Sequence, residues 1–104
     1  MESVGETYGQ AIFELAEQTG QLDEVPNEMQ QIGELWESNE KLAWLLSSQM
    51  LSTNDRNSVI KNLFRNRTSK ILYRFLLVVN QRNRLDRLRG IINAFARLMD
   101  EHRG

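Results

Sequence analysis

From Leu85 to Met99 the apolar residues stand at Leu85, Leu88, Ile92, Phe95 and Met99, at steps of three and four, with Ile91 and Leu98 beside them. Those steps keep side chains on one face of an α-helix. A strand turns its side chains over at every second residue, so the pattern excludes it. The same period recurs along the chain, which has a single proline and no alternating Val/Ile/Thr segment. The fold class that follows is all-α, a compact six-helix bundle, with residues 1–104 forming a single helical domain.

The helix ends are written in cap chemistry. The first helix, over residues 4–19, stops at Gly20, a residue suited to the left-handed position after a helix. Asp23 is the expected N-cap of a second helix, with Pro26 in its first turn and Val25, Met29, Ile32 and Trp36 facing inward. Ser38-Asn39 closes it and caps a short third helix over residues 40–46, with Leu42, Leu45 and Leu46 on its buried side. After the loop SSQMLSTND, Ser52 with Asp55 forms a shortened capping box for a fourth helix over residues 53–64, whose Val59, Ile60, Leu63 and Phe64 point inward. The fifth helix spans residues 69–82, with Thr68 as expected cap and Asn83 as left-handed stop. The sixth spans residues 85–101.

Charge is unevenly divided. Residues 1–52 carry ten acids and one base, and residues 53–104 carry twelve bases and four acids, about −9 against +8 within a net −1. Two half-surfaces that attract each other in one domain explain the split. An alternative is a small helical nucleic-acid-binding domain using the basic C-terminal half, with Arg82 and Arg89 among its contacts. Against it, Arg82, Arg84, Arg87, Arg89 and Arg97 do not share a face and no aromatic residues interleave for stacking. No nucleic-acid partner is therefore expected.

Nothing in the chain points to catalysis. The single histidine, His102, is two residues from the end, Glu14 and Glu17 lie on the polar side of the first helix, and the glycines are scattered. There is no cysteine and no converging set of ligands, so no metal or cofactor is expected. No apolar run approaches the roughly 18 residues of a membrane span, so direct membrane insertion is not expected either.

What the periodicity leaves unexplained is an excess of apolar surface. In the first helix Val4, Tyr8, Ala11, Ile12, Phe13, Leu15 and Ala16 cover roughly 200° of arc, where a surface helix needs a stripe only somewhat wider than about 100°. In the fifth, Ile71 to Val79 covers about 260°. A helix that apolar is either central to the core or has a partner. If the two lie side by side, their spare faces form a shallow groove for an amphipathic helix of another chain.

The stretch YGQAIFELAEQTGQLDEV resembles the opening motif of the delta subunit of F-type ATP synthases, the family of the oligomycin-sensitivity-conferring protein. Tyr8, Ala11, Phe13, Leu15 and Ala16 match its pattern, and Gly9 replaces an alanine. NEKLAWLLSSQMLS and FLLVVNQRNRLDRLRGIINAFARLMDEHRG are similar to later motifs of the same family, with Asn83 where a glycine is usual. The likeness runs through nearly the whole chain.

The resemblance implies a non-catalytic stator component: the N-terminal domain of a longer subunit whose C-terminal portion, absent from this chain, meets the stalk b subunits. It implies a peripheral location on the cytoplasmic side of a bacterial inner membrane. It also implies a groove between the first and fifth helices that grips the amphipathic N-terminal helix of an alpha subunit. By matching positions the groove residues are Tyr8, Ala11, Ile12 and Leu15 with Phe75, Val78 and Val79, and Ile71 joins them by periodicity. Phe13, Ala16, Leu72 and Leu76 should then face the core.

Overall fold

The computed structural model describes residues 2–104. Its elements are six helices, α1 (Val4–Gln18), α2 (Val25–Ser38), α3 (Glu40–Ser47), α4 (Thr53–Phe64), α5 (Lys70–Gln81) and α6 (Leu88–Arg103), with a single 3-10 turn at Leu85–Arg87 leading into α6. Among the described residues there is no strand, and no helix is long and apolar enough to cross a membrane.

The cap chemistry holds at most ends. Ser3, Asn39, Ser52 and Ser69 each accept a backbone N–H of the following first turn through their side-chain oxygens. The sixth helix begins at Leu88 and not at Leu85, where the 3-10 turn stands, and two caps differ from expectation. Asp23 does not cap α2: a turn at residues 22–24 hands the chain over through the Gln21 carbonyl, which accepts from Glu24 and Val25, and Glu24 stands at the cap position with no side-chain capping bond. Thr68 does not cap α5. Its hydroxyl donates back to the Phe64 carbonyl at the end of α4, and Ser69 takes the cap role.

Both left-handed stops form. Gly20 has φ 70° and Asn83 φ 57°. In each, two backbone N–H groups turn back to the helix end, from Gly20 and Gln21 to Glu17 and Ala16, and from Asn83 and Arg84 to Asn80 and Val79.

The start of α5 is tied to α2. One Glu28 carboxylate oxygen accepts both the Ser69 backbone N–H at 2.9 Å and the Ser69 hydroxyl at 2.8 Å. It thereby supplies a negative charge to the positive end of α5. Glu28→Ala should lower the unfolding free energy by about 1–2 kcal/mol, from the lost charge-assisted bonds. Glu24→Ala, with no side-chain cap to lose, should leave it unchanged. Parallel urea titrations of the two variants check the difference.

The core runs through the middle of the bundle and includes Ile12, Ala16, Met29, Ile60, Leu72, Leu76, Val79, Ile91 and Phe95. α1 packs along α6, and α5 is flanked by α4 on one side and α1 on the other. The buried stripe of α6 is Leu88, Ile91, Ala94, Phe95 and Met99, so Ile91 is central and Ile92 only half-buried, the reverse of the periodic reading. The cause is the neighbour: α1 lies so close to Gly90 and Ala94 that the Ile91 side of α6 is the one enclosed.

Candidate functional site

α1 and α5 are adjacent, and the contact that joins them on the outer side is aromatic. The Tyr8 and Phe75 rings meet edge-on, with centroids 6.4 Å apart and planes at 63°. Beside this contact lie the apolar residues that the core leaves uncovered. Leu15 of α1 is 38% exposed and Val78 of α5 is 49% exposed; Ala11 is exposed, and Tyr8 and Ile71 are half-buried. At the helical period, Tyr8, Ala11 and Leu15 fall on one flank of α1, and Ile71, Phe75 and Val78 on one flank of α5. The result is a shallow apolar trough with Tyr8 and Phe75 touching across it.

Two of the eight groove positions expected from sequence lie elsewhere. Ile12 and Val79 are fully buried and belong to the core cluster. On α1 the core direction is shared by Gly5, Gly9, Ile12 and Ala16, and on α5 by Leu72, Phe75, Leu76 and Val79. Ile12 and Val79 sit on these inner faces, beneath the trough and not on its walls. Phe75 is itself nearly buried and offers only its edge. Of the four positions expected in the core, Ala16, Leu72 and Leu76 are buried. Phe13 is half-buried, held edge-on between Phe95 and His102.

A separate depression of about 570 Å3 lies between α2 and α6, where Met29, Trp36, Ile92 and Met99 line the wall and the Arg89–Glu37 ion pair stands on it.

The other sequence candidates are dispersed. Glu14 accepts from Gln10, and Glu17 lies 3.7 Å from His102. The arginines of the basic half have different tasks: Arg89 is paired with Glu37, Arg87 lies beside Asp86, and Arg56 is buried. Among the described residues no cluster of three or more His, Cys, Asp or Glu side chains could hold a metal ion.

Arg56 is the residue whose position the periodic reading missed. It precedes Ile60 and Phe64 at steps of four, on the inner face of α4. An arginine at an inward step was the available signal. Asn80, also buried, follows Leu76 by the same step on α5 and accepts from the Arg56 Nε.

A family model described as ATP synthase delta (OSCP) subunit matches residues 4–104. The ATP synthase subunit delta of Chlorobium luteolum is 32% identical over 97 residues, covering 93% of this chain and 54% of that protein. That of Desulfitobacterium hafniense is 32% identical over 101 residues, covering 97% and 56%. That of Latilactobacillus sakei is 31% identical over 102 residues, covering 98% and 56%. The chain spans about half the length of the curated relatives it matches.

Proposed function

Because this chain belongs to the ATP synthase delta (OSCP) family, we propose that it is a non-catalytic helical domain of the synthase's peripheral stalk, holding the amphipathic N-terminal helix of an alpha subunit in the α1/α5 trough. Such a grip ties the catalytic head to the stator, so that the head does not turn with the rotor.

The observation that carries the reading is the pair of adjacent helices joined at Tyr8 and Phe75, with Ala11 and Leu15 of α1 and Ile71 and Val78 of α5 left partly or wholly uncovered beside that contact. An amphipathic helix laid along them would bury about five apolar anchors, at roughly 1.5–3 kcal/mol each. Association and ordering cost about 4–15 kcal/mol, so the site needs nearly all of its anchors. One charged residue in its floor is then decisive.

Val78→Asp tests this directly. Val78 is 49% exposed, so the fold tolerates the change. A bound helix would have to desolvate the new carboxylate at a cost of about 3 kcal/mol. Binding of a peptide of the alpha-subunit N-terminus, followed by calorimetric titration, should weaken about 100-fold, with the helical circular dichroism unchanged. Failure of the unaltered domain to bind that peptide at tens of micromolar would overturn the assignment.

A further inference from the structure

The trough has a chemistry beyond its apolar walls. α5, KILYRFLLVVNQ, contains no acidic residue, and its exposed border carries Lys70, Arg74 and, at its C-cap, Arg82. Arg74, Val78 and Arg82 follow one another at steps of four, so the two arginines stand on one ridge of α5 on either side of Val78, their backbone positions about 12 Å apart at the helical rise. Among the described residues neither forms an ion pair; the three that occur are Arg87–Asp86, Arg89–Glu37 and His102–Glu17. Helix stability does not account for all of them. Lys70 at the first position of α5 opposes the helix dipole, and Arg74 in the middle is neutral to it. The border on the α1 side is different: Thr7, Gln10, Glu14 and Gln18 lie beyond Ala11 and Leu15, and Glu14 is its only charge.

We infer that the α5 rim selects its occupant by charge. The trough takes an amphipathic helix whose apolar stripe is bordered on one flank by carboxylates seven or eight residues apart, matching Arg74 and Arg82, and on the other flank by neutral or basic residues. The inference rests on the trough being a helix-binding site, and it adds which helix. The asymmetry also fixes direction. Turning an amphipathic helix end for end exchanges its flanks, so only one polarity sets its acids against α5. Partial desolvation in the bound state strengthens such pairs above the small value of open surface pairs.

Two peptides of about 20 residues with one shared Leu/Ala stripe separate the terms: one carries Glu and the other Lys at two positions seven residues apart on one flank, with Gln elsewhere. The Glu peptide should bind at least about tenfold more tightly at about 50 mM salt, and the gap should shrink below about threefold at about 500 mM. Arg74→Glu with Arg82→Glu, both at exposed positions, should invert the preference. Equal binding of the two peptides, abolished for both by Val78→Asp, would overturn the charge inference and leave the trough intact. Binding insensitive to Val78→Asp, or no binding of either peptide, would overturn the trough reading and this inference with it.

Discussion

Arg56→Met should lower the unfolding free energy by about 3–5 kcal/mol, a large part of the roughly 5–15 kcal/mol that holds a domain of this size. Arg56 is 4% exposed and, among the described residues, has no carboxylate partner. All its partners are neutral oxygens. Nε donates to Asn80 Oδ1 at 2.8 Å. Nη1 donates to the carbonyls of Ser48 and Leu51, both at 3.0 Å. Nη2 donates to Thr53 Oγ1 at 3.3 Å and to Asn83 Oδ1 at 2.9 Å. Ser48 follows the end of α3 and Asn83 the end of α5, so the cation also receives the negative ends of two helix dipoles.

Methionine fills the stem's volume but leaves these acceptors without a donor; the buried Asn80 oxygen so stranded costs about 1–3 kcal/mol, and the four part-buried acceptors, which water can reach, add less each. Lysine, a point charge with three donors, cannot span the five acceptors of a planar fork, so Arg56→Lys should recover only part of the loss. Urea unfolding reads both, as a lowered midpoint with an unchanged slope. A midpoint equal to that of the parent would show that the network contributes nothing net. The same network explains an asparagine at position 83: its side chain accepts from Arg56 while its backbone takes the left-handed turn.

Gly5→Ala should cost about 2 kcal/mol and lower Tm on the order of 10 °C, although alanine is the better helix former by about 1 kcal/mol. A Cβ on Gly5 would stand 2.7 Å from the Gly90 carbonyl carbon and 2.9 Å from its oxygen. These are backbone atoms, and no side-chain rotation relieves them, so α1 and α6 must separate. Gly90→Ala is the control. Its Cβ would meet the Gly5 Cα at 3.6 Å, an ordinary contact, and the change should be neutral or stabilising.

Gly9→Ala lies between these cases. Its Cβ would fall 2.7 Å from the Cβ of Ala94 and 3.1 Å from the backbone of both Ile91 and Phe95, so pairing it with Ala94→Gly should recover part of the loss, whereas nothing smaller can replace Gly90. A thermal unfolding series over the four variants measures the order. Equal Tm for Gly5→Ala and Gly90→Ala would mean that the two helices have room to part.

Helix existence was legible along the whole chain, and most ends were too. Gly20, Ser52 and Asn83 act through bonds to residues within five positions, so a local reading finds them. The cap of α5 was harder because Thr68 and Ser69 are both competent. The choice was made by Glu28, forty-one residues away, whose carboxylate holds Ser69 in place. The trough was legible as an excess of apolar arc on α1 and α5, but not its width. Ile12 and Val79 look the same as Leu15 and Val78 on a helical wheel, and only the neighbouring helices distinguish them.

The order of amino acids alone determined that this chain is helical, where most of its helices stop, and that two of them carry more apolar surface than a small bundle needs. Each of those properties depends on a residue's near neighbours in sequence, through backbone hydrogen bonds and a fixed rotation per residue. Tertiary structure decided which part of the surplus is core and which is wall, that an arginine on α4 belongs inside, and that Arg74 and Arg82 stand unpaired beside Val78. Those depend on how closely helices distant in sequence approach. Here that distance is set by backbone meeting backbone at Gly5 and Gly90, where there is no side chain to hold α1 away from α6.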